Sequence, residues 1–91
     1  MSQFALHAYI SGTVQGVFFR NSTQKKAIEL GVTGWIKNCP DGRVELLATG
    51  ETDNVSGLLA WCWQGPPASN VTDIKQTPVP YQHFDTFEVR Y

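Results

Sequence analysis

From Phe4 the chain alternates: Phe4, Leu6, Ala8 and Ile10 fall on one side and Ala5, His7, Tyr9 and Ser11 on the other. That is the period of two of a half-buried strand, stopping at Gly12. The period then lengthens. Phe19, Thr23, Ala27 and Leu30 recur at helical steps, so they share one face of a helix that begins at Phe19 or Arg20. It closes at Gly31, a residue suited to the left-handed position past a helix end. Two further strands, VTGWIKN and RVELLATG, flank CPDG, whose Pro, Asp and Gly supply the tight turn of a hairpin. In the stretch GETDNVSGLLAWCWQGPP a second helix is capped by Asp53 or Thr52, buries Val55, Leu58, Leu59 and Cys62, and ends at Gly65-Pro66-Pro67. NVTDIKQT is weaker strand material of uneven period, whereas FDTFEVRY alternates through Phe87, Val89 and Tyr91. Strand, helix, strand, strand, helix, strand, plus a short closing strand, predicts an α+β, ferredoxin-like βαββαβ sandwich. Its antiparallel sheet carries both helices on one face.

Composition narrows the picture. With 91 residues, 42% of them hydrophobic and 12% aromatic, residues 1–91 form a single domain with material for one core. No stretch approaches the roughly 18 consecutive apolar residues of a membrane span. The opening MSQFALHAYIS lacks the basic region and apolar run of a secretory signal, so a cytoplasmic address is expected. A net charge of -1 without a basic run supplies no stripe for nucleic acid or anionic lipid, and neither is expected as a partner. Cys39 and Cys62 form no CxxC and have no histidine at ligand spacing, which argues against a metal site. In a reducing compartment both read as small apolar residues.

The segment between the first strand and the first helix, GTVQGVFFRNS, spans Gly12 to Ser22. Glycine weakens an element interior by about 0.5–1 kcal/mol relative to alanine, so a pair of them beside the first strand asks for a reason. A helix entrance carries N–H groups without intrahelical partners and the positive end of the dipole, and an anion is its natural occupant. Gly12 and Gly16 let the backbone curl so that successive N–H groups converge, and Arg20 stands where its planar fork takes two oxygens of a phosphoryl group. No Gly-Lys-Ser/Thr follows, which disfavours a nucleoside triphosphate. The competing reading is a tight connection in which the glycines only reverse the chain and Arg20 is solvated.

GTVQGVFFR, followed by GWIKNCPDGRVE, closely resembles the acylphosphatase family, whose hallmarks are a G-x-V-Q-G-V-x-F-R loop and a G-W-x-K-N-x-x-D-G-x-V-E strand-turn-strand. LLAWCWQGPP and the closing FEVRY agree, so the resemblance covers essentially the whole chain. It implies that Gln15, Gly16, Val17, Phe18 and Phe19 present backbone N–H groups to a phosphate, that Arg20 binds its charge and that Asn38 holds the attacking water. It also implies hydrolysis of a small acyl phosphate to a carboxylate and inorganic phosphate, with no metal, cofactor or covalent enzyme intermediate. Phosphate or sulfate is then a product-like ligand, and a monomer is expected. Cys39 departs from the hydroxyl or other side chain common at its position, and a thiol beside the site would make activity sensitive to oxidation.

The chemistry agrees with that implication. A carboxylate leaving group, whose conjugate acid ionises near pH ~4, needs no proton from the protein, and a loose phosphoryl transition state asks mainly for positioning and charge stabilisation. His7 lies in the first strand and His83 in a connection, without a serine or cysteine partner. Asp41, Asp53, Glu45 and Glu88 are scattered, which disfavours paired acid/base work and magnesium binding. Asn38 alone could equally be a strand-end residue bonding the turn backbone. Two rivals share the element order. An RNA-binding domain needs stacking aromatics on its central strands, and RVELLATG has none; a non-catalytic anion-binding or regulatory module is disfavoured by the intact Arg20 and Asn38. Whether the carboxylate of Tyr91 reaches Arg20 is left open by the sequence.

Overall fold

The computed structural model describes residues 3–91; Met1 and Ser2, the start of the stretch lacking a secretory signal, lie outside the described residues. The elements run β1 (Gln3–Thr13), α1 (Phe19–Leu30), β2 (Thr33–Asn38), β3 (Val44–Glu51), α2 (Thr52–Gln64), β4 (Asn70–Val79) and β5 (Phe87–Arg90). They build one five-stranded sheet in the order β4-β1-β3-β2-β5 with both helices packed on one face, which is the ferredoxin-like α+β sandwich. The four strands of the βαββαβ repeat pair antiparallel as expected. The closing strand corrects the all-antiparallel picture: β5 joins β2 in parallel, with Lys37 opposite Arg90, so the sheet is mixed.

The alternation in β1 sorts as its period requires. Leu6, Ala8 and Ile10 enter the core, where Phe19, Ile36, Leu46, Leu58 and Phe87 are among its largest fully buried side chains. Leu30 completes the α1 stripe as a partly buried neighbour of that core. Beyond α1, Gly31 takes φ 74°, and the Val32 N–H reaches back to the Ala27 carbonyl at 2.8 Å, which satisfies a carbonyl the helix end would otherwise orphan. On the helix-free face, His7 meets Glu45 at 2.7 Å, and the guanidinium groups of Arg43 and Arg90 lie 4.2 Å and 4.9 Å over the rings of Tyr9 and Trp35. These cations cover the aromatic surface that stacked bases would need.

Four details differ from the pattern. The N-cap of α2 is Glu51, with no side-chain cap hydrogen bond; Thr52 and Asp53 are already helical, and Asp53 serves the dipole from the first turn. β4 is an edge strand bonded to β1 alone, so Ile74 is its one buried residue and Pro78 is tolerated. That one-sided burial is why its period looked uneven. Tyr91 does not continue the inward set of Phe87 and Val89; it follows β5 and is 96% exposed. Finally, β1 does not stop at Gly12 but runs on to Thr13 through a bulge between Ser11 and Gly12.

That bulge changes the role of Gly12. Its φ is 122°, and a Cβ there would run into the main-chain carbonyl of Asn70 on β4. Gly12 therefore serves the strand pairing rather than the loop beyond it. Gly12→Ala is expected to lower the unfolding free energy by about 1–3 kcal/mol, read as an earlier urea midpoint. An unchanged midpoint would contradict this placement.

Candidate active site

Between β1 and α1 the backbone turns on two residues of positive φ, Gly16 at 75° and Phe18 at 63°, with Val17 between them outside that region. Such an alternation directs successive N–H groups toward one concavity. Phe18 is the N-cap of α1, and its hydroxyl-free, 78% exposed side chain offers no cap hydrogen bond. A left-handed phenylalanine is a strained conformation costing on the order of 1–3 kcal/mol. Two contacts hold it: Phe19 next to it buries its ring in the core, and the Phe18 carbonyl accepts the first helical bond, from Ser22 N–H at 3.0 Å. Among the described residues, no main-chain N–H from Gln15 to Asn21 is a donor in the hydrogen bonds of the loop and helix cap. Together with the dipole they make a positive, donor-rich concavity.

A cavity of about 290 Å³ opens at this point, lined by Val14, Gly16, Phe18, Arg20, Asn21, Asn38 and Tyr91. Of the residues expected at the site, Gly16, Phe18, Arg20 and Asn38 are brought together there. Gln15, Val17 and Phe19 are outside its lining; Phe19 is core, Val17 packs against the core, and the Gln15 side chain points its amide at two carbonyls of the hairpin turn. Gly12 and Cys39 are outside it as well. Asn21 and Tyr91 are lining residues outside the loop motif, and Val14 is a motif residue to which no binding role was given.

Arg20 is held from outside its own helix. Its Nη1 donates to the Arg90 carbonyl at 2.9 Å, and its guanidinium lies 4.6 Å from the centre of the Tyr91 ring. The contact that orients Arg20 is thus the β5 backbone and an aromatic face, which leaves the rest of the fork's donors for a ligand. Asn38 ends β2, one residue beyond the Lys37 that pairs with Arg90, so the parallel β5 brings the Arg20 anchor to the end of β2 that carries Asn38. Asn38 Oδ1 is buried and has no hydrogen-bond partner. A buried acceptor left unpaired costs about 1–3 kcal/mol; a donor arriving from the cavity removes that penalty.

Few titratable side chains approach this cavity, and among the described residues no three His, Cys, Asp or Glu side chains converge as metal ligands. The Cys39 thiol stands 4.0 Å from Glu45 Oε1; burial, then the Glu45 and Asp41 carboxylates, raise its pKa above the ordinary value. Burial pushes Cys62 up to about 12 from its ordinary 9.0. A raised thiol pKa stabilises the fold below pH 9.0, and that contribution is lost as the pH climbs toward 12.

The fold and the cavity define a class: a ferredoxin-like sandwich with a donor-rich cavity at the entrance to its first helix. The acylphosphatase family model matches residues 6–89. An acylphosphatase from Methylococcus capsulatus is 51% identical over 76 residues, 81% of this chain and 83% of the relative. The solved acylphosphatase of Coxiella burnetii is 44% identical and superposes with a TM-score of 0.93 over 97% of this chain and 93% of that one. The Bacillus subtilis acylphosphatase structure, 35% identical, gives 0.94 over 97% and 99%. The chain belongs to the acylphosphatase family, hydrolases of acyl phosphates.

The thiols give a direct check on this environment. At pH 8 a disulfide reagent should titrate Cys39 alone in the folded protein, more slowly than a free thiol, and both cysteines after denaturation. Fast modification of both in the folded state would contradict the burial of Cys62.

Proposed function

We propose that this acylphosphatase-family enzyme cleaves the carboxyl–phosphate bond of a small acyl phosphate by direct attack of water, without metal or cofactor. Arg20 and the main-chain N–H groups from Gln15 to Phe19 bind the phosphoryl group, and Asn38 orients the water. The observation that carries this reading is the joint opening of Gly16, Phe18, Arg20 and Asn38 onto one cavity.

The dianionic phosphoryl group sits against the helix entrance, its oxygens accepting from loop N–H groups and from the free edge of the Arg20 fork. A water held by the Asn38 amide attacks phosphorus in line with the departing carboxylate oxygen. The bond from phosphorus to that oxygen breaks as the bond to water forms, and the water's proton passes to a phosphate oxygen, giving a carboxylate and dihydrogen phosphate. No general acid is required, because the leaving carboxylate is stable at neutral pH. Charge spread over the phosphoryl oxygens is what the cradle stabilises, each well-aimed donor contributing about 2.7–4 kcal/mol. A neutral amide suits the water site, since a carboxylate there would repel the incoming anion.

Cys39 and Cys62 are both free, in keeping with a cytoplasmic address, and among the described residues no helix is long and apolar enough to cross a membrane.

Loss of benzoyl phosphate, followed in the presence of a chelator, tests the assignment. Arg20→Ala is expected to weaken inhibition by inorganic phosphate and to lower kcat/KM by about 10²–10³-fold or more. Asn38→Ala should lower kcat by a similar factor while the phosphate inhibition constant stays within about threefold. Near-normal rates in Arg20→Ala, or equal loss of binding and turnover in Asn38→Ala, would overturn the roles given to them.

A further inference from the structure

Gln15 does more than lend a main-chain N–H. Its Nε2 donates both hydrogens across the molecule, to the Cys39 carbonyl at 2.8 Å and to the Arg43 carbonyl at 2.9 Å. Both partners are acceptors, so the amide orientation is fixed by the network. Those carbonyls are the two ends of the hairpin turn between β2 and β3: Cys39 N–H bonds the Arg43 carbonyl at 2.8 Å, and Gly42 N–H bonds the Cys39 carbonyl at 3.2 Å. Gln15 adds a second hydrogen bond to each of these oxygens. Asn38, opposite Val44, is the last pair of the β2–β3 ladder immediately before this turn.

We infer that the Gln15 carboxamide is a positioning residue for Asn38, a clamp that fixes the end of β2 against the phosphate loop. The inference rests on the water-orienting role proposed for Asn38. The loop and the hairpin come from different parts of the chain, and hairpin ends open more easily than strand centres. A side chain leaving the loop between Val14 and Gly16, both on the cavity wall, and ending on Cys39 and Arg43, ties the oxygen-binding and water-holding halves of the site together. Misplacing a reacting group by 1 Å can cost about 100-fold in rate, so the clamp sets turnover without touching substrate.

Gln15→Met keeps the length of the side chain and removes both donors. It is expected to lower kcat by about tenfold or more while the phosphate inhibition constant stays within about twofold, because the cradle itself is intact. In an Asn38→Ala background the same change should then lower the residual kcat by less than about twofold, since the group it positions is gone. An equal factor in both backgrounds, or a parallel loss of phosphate binding, overturns the clamp in favour of a general support of the loop. If Asn38→Ala lowers kcat and Gln15→Met does not, the clamp alone falls. If Asn38→Ala leaves kcat intact, the role of Asn38 falls and the clamp with it.

Discussion

Main-chain N–H groups that find no partner in their own chain are a cost unless water or an anion meets them, and among the described residues the loop and helix cap leave a run of them from Gln15 to Asn21. They are gathered by two left-handed residues, of which one is a phenylalanine. The strain at Phe18 persists because Phe19 anchors the helix to the core immediately after it. The hydrophobic core thus fixes the donor geometry: the same turn that presents N–H groups outward sends an aromatic ring inward.

Three long-range ties join the elements around the cavity. Arg20 is drawn to the β5 carbonyl of Arg90, β5 is zipped to β2 beside Asn38, and Gln15 closes the circuit from the loop back to the turn that follows Asn38. The guanidinium is therefore held by β5, and the backbone that carries the Asn38 amide by its neighbour β2. Preorganised donors of this kind need no reorganisation when phosphoryl charge develops, the largest single contribution in many enzymes.

Local patterning made most of the fold legible. The α1 boundary at Phe19, its Gly31 stop and the buried stripe of α2 all follow from spacing, because one helix face must meet one core. What spacing could not supply was partner identity. Gly12 looks like a loop glycine until β4 delivers the Asn70 carbonyl against it. The parallel pairing of β5 has no turn or composition signal, and Tyr91 breaks its alternation because the strand ends before it. Gly16, Phe18, Arg20 and Asn38, named from two separate motifs, line one cavity. The left-handed conformation of Phe18, the side-chain reach of Gln15 and the Tyr91 ring under Arg20 carry no local mark, since each is imposed by residues distant in sequence.

The most direct measurement is an amide proton–nitrogen NMR titration with inorganic phosphate, without substrate or metal. Saturable shifts concentrated on the N–H groups of Gln15 to Phe19 and on the Arg20 side chain are expected, with distal amides of β4 unmoved. Weak, unsaturating shifts scattered over exposed lysines, with the loop amides unchanged, would contradict an anion cradle at the entrance to α1.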